Sequence, residues 1–140
     1  MLVHATTVDL AGCGVLLLGE SGAGKSDLAL RLIAEGALLV ADDQTLVEIV
    51  EGALRASAPR IISGLIEVRG VGLRHAPVKA ATRLHLAVHL ASIVPERMPQ
   101  PSAWSLPGSG QPNVPFVTLL PFEASAPAKL RRALAFVPNA

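Results

Sequence analysis

Aromatic residues make up only 3% of this chain: three Phe, one Trp and no Tyr. Any core must therefore be built from Leu, Val, Ile and Ala. Cysteine is nearly absent as well. The lone Cys13 excludes an internal disulfide and suits a reducing compartment. No cationic or basic residue adjoins it, so it reads as a small turn or core residue rather than a nucleophile. The net charge is only +1, which predicts no strong pull toward nucleic acid or an anionic membrane. No apolar run approaches the roughly 18 residues of a membrane span. The run Val15 to Leu18 is too short for a secretion signal and leads straight into a glycine-rich loop. A soluble, cytoplasmic protein is the expectation. Against these absences stands a hydrophobic content of 51% in 140 residues, enough for one core and one domain spanning 1–140.

The pattern along the chain predicts an α/β fold, rich in strands and poor in helices. "VHATTVDLAGCGVLLLGESG" reads as two strands, Ala5 to Leu10 and Val15 to Leu18, around a Gly12-Cys13-Gly14 turn. "SDLALRLIAEGA" reads as an amphipathic helix. Leu28, Leu32 and Ile33 form its apolar face, extended by Leu30 and Ala34, with Arg31 and Glu35 opposite and Gly36 as the stop. "ALLVADD" follows as a strand. Strand, loop, helix and strand in this order predict a βαβ unit with parallel pairing. "QTLVEIVEG", "IISGLIEVRGVGL" and "TRLHLAVHLASIV" add strands. In the last, Leu84, Leu86, Val88 and Leu90 are expected on one face, and Arg83, His85, Ala87 and His89 on the wetter one. Pro95 to Pro115 reads as a loop, "VPFVTLLPF" as a strand, and "SAPAKLRRALAFV" as a helix with Ser125 as its cap.

"GESGAGKS" meets G-x-x-x-x-G-K-[ST] at every position, and the predicted strand before it and helix after it supply the required context. Gly19, Glu20, Ser21, Gly22, Ala23 and Gly24 would wrap their N–H groups around phosphate oxygens. Lys25 would reach the β- and γ-phosphates of a nucleotide. Ser26 would hold Mg²⁺ at the positive end of the helix. Such a site also needs an acid at the end of a neighbouring strand, and "LLVADD" offers Asp42 and Asp43. Successive strand residues point to opposite faces, so the two acids are not equivalent.

This P-loop behind a hairpin, with "ADD" ending 18 residues after Lys25 and followed by "IEVRGVGL", resembles the catalytic domain of the HPr kinase/phosphorylase family. The likeness runs from about Val3 to Val94. "EVRGVG" is far more specific than the loop alone. The resemblance implies an HPr kinase and phosphoenolpyruvate carboxykinase-like fold, and the absence of H-R-D and D-F-G signatures agrees. It implies ATP and Mg²⁺ as cofactors, the phosphocarrier HPr as partner, a homo-oligomer (typically a hexamer), and transfer of phosphate to a serine of HPr. The family also runs the reverse phosphorolysis.

Residue by residue, the resemblance implies Asp43 as the base for the seryl proton and His4 beside it. It implies Asp42 as the structural or metal-side neighbour, Glu67 as a metal ligand and Arg97 as a functional arginine. Arg69 is open between pairing with Glu67 and touching phosphate. His85 and His89, spaced i, i+4 within a strand pattern, read as wet-face residues rather than a metal pair. Two departures stand out. The chain opens at the catalytic hairpin where the family usually has another domain first. It also carries "LPFEASAPAKLRRAL" where the family has a basic loop tied to phosphorolysis, so kinase activity is better supported. Lys129, Arg131 and Arg132 read as a solvated helix face. The rival readings are a small-metabolite or carboxykinase-like enzyme on the same P-loop, and a non-catalytic nucleotide-binding regulator.

Overall fold

A computed structural model describes residues 1–135. In chain order the strands are β1 (Leu2–Val3), β2 (Ala5–Leu10), β3 (Cys13–Leu18), β4 (Leu38–Ala41), β5 (Thr45–Val50), β6 (Ala53–Ser57), β7 (Leu65–Val68), β8 (Gly72–His75), β9 (Ala81–Leu90), β10 (Ala103–Trp104) and β11 (Val114–Leu119). The two α-helices are α1 (Lys25–Ala34) and α2 (Ala126–Ala135), the latter starting just after Ser125 as expected. The last two residues of the predicted final helix, Phe136 and Val137, lie outside the described residues.

Nine strands form one sheet in the order β1-β5-β6-β9-β3-β2-β4, while β11 pairs with β9 and β10 with β11. β9 organises it. Its first residues pair antiparallel with β6, and its last four run parallel to β11 on the same edge. Its other edge runs parallel to β3. β7 and β8 form a separate hairpin.

Several expectations change. The hairpin turn is Ala11-Gly12, both at positive φ, and Cys13 is the first residue of β3. The Cys13 side chain packs in the core. More consequentially, β4 does not pair with β3. β2 lies between them, antiparallel to both, so β3 and β4 are parallel but not neighbours. The hairpin strand that precedes the P-loop has inserted into the βαβ unit. Third, β9 does not keep a strict alternation. Gly14 pairs with Leu84 and Val15 with Leu86, leaving His85 as an extra residue. This bulge turns Leu84 to the opposite face from Leu86, Val88 and Leu90. Gly14 permits it: a Cβ there would lie 2.6 Å from the Arg83 carbonyl.

The core consequently has two parts. One face of the sheet carries Val8, Val15, Leu17, Leu86 and Val88 against Leu28 and Leu32 of α1 and Leu130 and Leu134 of α2. The other carries Ala5, Leu16, Leu84 and Ala87 against Val47, Leu54 and Ala56 of β5 and β6 and against Leu106 and Val114. With both faces covered, β2 and β3 are buried over nearly their whole length. α1 buries Ala29 where the sequence suggested Leu30, which stays exposed in the middle of the helix. The helix ends in a Schellman arrangement. Ala37 N–H donates to Leu32 O, Gly36 N–H to Ile33 O.

Candidate active site

The P-loop runs from the end of β3 into the first turn of α1. Gly24, the residue before α1, has φ of +103°. A Cβ there would also sit 2.9 Å from the Phe122 ring and 3.2 Å from Pro121. Glycine is thus required twice, by backbone conformation and by space. Lys25 is buried (5% exposed), and its ammonium donates to the carbonyls of Gly19 and Glu20 at 2.8 and 2.9 Å. The loop is therefore curled around its own lysine.

Because β4 is antiparallel to β2 and its last residue, Ala41, pairs with Thr7, the chain beyond β4 runs past Thr6 toward His4. The side chains follow this register. Thr6 Oγ1 donates to Asp42 Oδ1 at 2.9 Å, and the Asp43 N–H donates to Thr6 Oγ1 at 3.0 Å. One hydroxyl thus spaces both acids. Asp42 is buried and turned inward. Its Oδ1 also accepts from Ser26 Oγ at 2.6 Å, and its Oδ2 from the Glu67 N–H at 2.9 Å. Asp43 is turned outward by a positive φ of 65°, spanned by a hydrogen bond from Gln44 N–H to Asp42 O at 2.7 Å. This is a tight three-residue turn that L residues rarely adopt. Its carboxylate meets His4 Nε2 at 2.8 Å, with side chains 48% (His4) and 64% (Asp43) exposed. The two acids are inequivalent, as the sequence predicts. The cause is this turn rather than strand alternation, since β4 stops at Ala41.

A cleft of about 320 Å³ opens beside these groups, with Asp42 and His4 just outside its lining. Gly22, Gly24, Lys25, Ser26, Asp43, Glu67, Arg69 and Phe122 all line it. The β7–β8 hairpin delivers Glu67 and Arg69 and is anchored by Ile66 in the core. A Cβ on Gly22 would lie 4.0 Å from Arg69 Nη2, so this guanidinium overhangs the loop. Among the described residues neither Glu67 nor Arg69 forms an ion pair. Arg97 lies in the exposed segment after β9 and does not line the cleft. His89 is exposed, and His85 Nδ1 is 3.1 Å from the Arg83 carbonyl, so the two histidines are not set up as a metal pair. Lys129 and Arg131 are exposed and paired with Glu123 and Glu35 on the surface of α2.

Among the described residues no three His, Cys, Asp or Glu side chains are gathered as a metal cage. Mg²⁺ does not need one. It is usually bound by one or two carboxylates together with substrate phosphates and water. The hydroxyl of Ser26 against the carboxylate of Asp42, with Glu67 on the same cleft, is a hard-oxygen set of that kind. Sequence reasoning missed Thr6 and Phe122. The signal for Thr6 was a strand, "ATTVDL", that is wholly buried yet holds three polar residues. Phe122 gave none.

A family model described as the HPr serine kinase C-terminal domain matches residues 1–98. HPr kinase/phosphorylase of Clostridium novyi (strain NT) is 41% identical over 102 residues, covering 68% of this chain and 33% of that protein. The Lactiplantibacillus plantarum enzyme of the same name is 36% identical over 143 residues, covering 96% of this chain and 44% of its own. The chain spans less than half the length of these curated relatives. The structure of the Hpr(Ser) kinase/phosphatase from Coxiella burnetii matches with a TM-score of 0.78 and 27% identity, over 96% of this chain and 88% of that one.

Proposed function

The chain belongs to the HPr serine kinase C-terminal domain family, and from that we propose that it transfers the γ-phosphoryl group of ATP to a serine of HPr. One observation carries the reading: the two adjacent acids are divided between two tasks. Asp42 is tied to Ser26 of the P-loop, and Asp43 is tied to His4 at the open cleft.

In this reading Ser26 and Asp42, with Glu67, hold Mg²⁺, which when bound neutralises charge on the β- and γ-phosphates. The loop amides, Lys25 and the overhanging Arg69 bind the phosphates. For Lys25 this means exchanging the carbonyls of Gly19 and Glu20 for phosphate oxygens. Asp43 orients the acceptor hydroxyl and takes its proton as the serine oxygen bonds to the γ-phosphorus and the bond to the ADP oxygen breaks. His4 holds the Asp43 carboxylate in place. Arg97 would join only if the segment after β9 moves toward the cleft with the acceptor bound. The proposal carries a cytoplasmic setting, where that acceptor resides, and self-association. It leaves phosphorolysis aside: where the resemblance implies a basic loop tied to that reaction, "LPFEASAPAKLRRAL" forms α2 and its approach.

The test is incubation with labelled ATP and HPr carrying or lacking its target serine, with location of the label. Label on HPr only when the serine is present supports the reading. Label on a small metabolite, or none at all, overturns it. Asp43→Asn should keep nucleotide binding, measured by calorimetry, and lose transfer by roughly 10²–10⁴-fold. Full turnover in that variant removes Asp43 as the base.

A further inference from the structure

The P-loop has a second cleft on its other side, of about 470 Å³, reached past Ser21 and Gly22. The two clefts share only those two residues and Phe122. Their chemistry differs. The first holds Lys25, Ser26, Asp43, Glu67 and Arg69, the groups that handle phosphate and proton. The second is walled mainly by Ala23, Leu90, Ala91, Ile93, Pro121 and Phe122, with the polar side chains of His89 and Ser92 beside them. Its one acid, Glu20, would repel a phosphate.

Phe122 and Ile93 are 68% and 79% exposed, so burial in this chain does not explain them. Phe122 is nevertheless held. Arg31 on α1 donates to the Pro121 carbonyl and, at 3.3 Å, to the Glu123 carbonyl, and is itself paired with Asp27 at 3.0 Å. The backbone on both sides of the aromatic is thus pinned to the helix that begins at the P-loop. The ring stands directly over Gly24.

We infer that the second cleft seats the nucleoside of the bound nucleotide, with Phe122 and Ile93 as the apolar walls against the base. This rests on the reading of Gly19 to Ser26 as a triphosphate site. Both clefts open onto that loop, so the nucleoside of a triphosphate bound there has these two to extend into. The first is where the acceptor serine must reach Asp43, so the nucleoside takes the second. A slot with apolar walls, one fixed aromatic face and a few polar groups (His89 and Ser92) suits a base, which has a π-face to stack and polar edges to satisfy. Arg31 is a positioning residue in this scheme.

Calorimetry separates this subsite from the phosphate site. Wild type, Phe122→Ala and Ile93→Ala are titrated with a non-hydrolysable ATP analogue and with inorganic tripolyphosphate, both with Mg²⁺. Circular dichroism melting checks the fold. The expected result is tripolyphosphate affinity unchanged in Ile93→Ala, with analogue affinity several-fold weaker there; in Phe122→Ala, whose ring also borders the first cleft, analogue affinity falls about tenfold and by more than tripolyphosphate affinity does. Wild type that binds both ligands, with folded variants binding the analogue equally well, overturns the subsite and leaves the phosphate reading intact. The same holds if the variants lose only apparent affinity for HPr, which would give the wall to the acceptor. Wild type that binds neither ligand overturns both readings. Should Phe122→Ala fail to fold, Ile93→Ala decides alone.

Discussion

Thr6 does more at the site than its place in a buried strand would suggest. Its hydroxyl donates to Asp42 and accepts from the Asp43 backbone, so a single oxygen sets the spacing of the two acids. Replacing it with the isosteric valine, Thr6→Val, leaves the Asp43 N–H and one lone pair of Asp42 without their partner. We expect a stability loss of about 1–3 kcal/mol, read from urea unfolding. Under the proposed function, transfer to HPr should fall about tenfold while nucleotide affinity holds, because Asp43, the proposed base, loses the partner of its N–H while Asp42 keeps Ser26 and the Glu67 N–H. Equal loss of both would make Thr6 merely structural. The pairing of Asp43 with His4 was implied by the family resemblance. The tight turn that aims it was not legible, because a positive φ at an aspartate leaves no mark in the residue order.

At the scale of elements, the β2–β3 hairpin meets β9 through another buried acid that sequence reading passed over. Asp9 accepts from Gly12 N–H in the turn at 2.9 Å, from Thr82 at 2.6 Å, and from Lys79 at 3.1 Å. Burial works to raise its pKa. The hydrogen bonds from Thr82, Gly12 and Lys79, with the charge of Lys79, outweigh that and hold the carboxyl below its ordinary value. The sign follows from linkage. A depressed folded-state pKa means that Asp9 stabilises the fold above its unfolded value of about 4, and that this contribution fades as pH falls from there through the folded pKa. Asp9→Ala should therefore cost about 2–3 kcal/mol at pH 7. The gap from wild type should narrow below about pH 4, as measured by urea midpoints from pH 7 to pH 2. A gap that widens in acid would contradict this. The helix α1, its glycine stop and most strand spans were readable because their periods are local. The partner of β4 was not, since a hairpin strand can insert into a βαβ unit without altering any local pattern.

At the scale of the whole molecule, β9 holds the fold together, with α1 and α2 over one face and β5, β6 and Leu106 over the other. Leu86 is fully buried on the first face. Leu86→Ala should cost about 2–5 kcal/mol, lowering one cooperative transition seen alike by circular dichroism and by fluorescence of Trp104. Two separated transitions would show that the two core clusters unfold independently. Residue order by itself determined the aliphatic core, the strand-rich α/β class and the P-loop. Each rests on composition, on short-range periodicity or on a contiguous motif, and the physics of these is local. Tertiary structure alone decided that β2 separates β3 from β4 and that Thr6 spaces the acids. It also brought Phe122, almost a hundred residues along the chain from Gly24, over the glycine-rich loop. Each of these joins residues far apart in the chain, and sheet order and helix packing choose such partners by which arrangement buries both faces of the sheet at once.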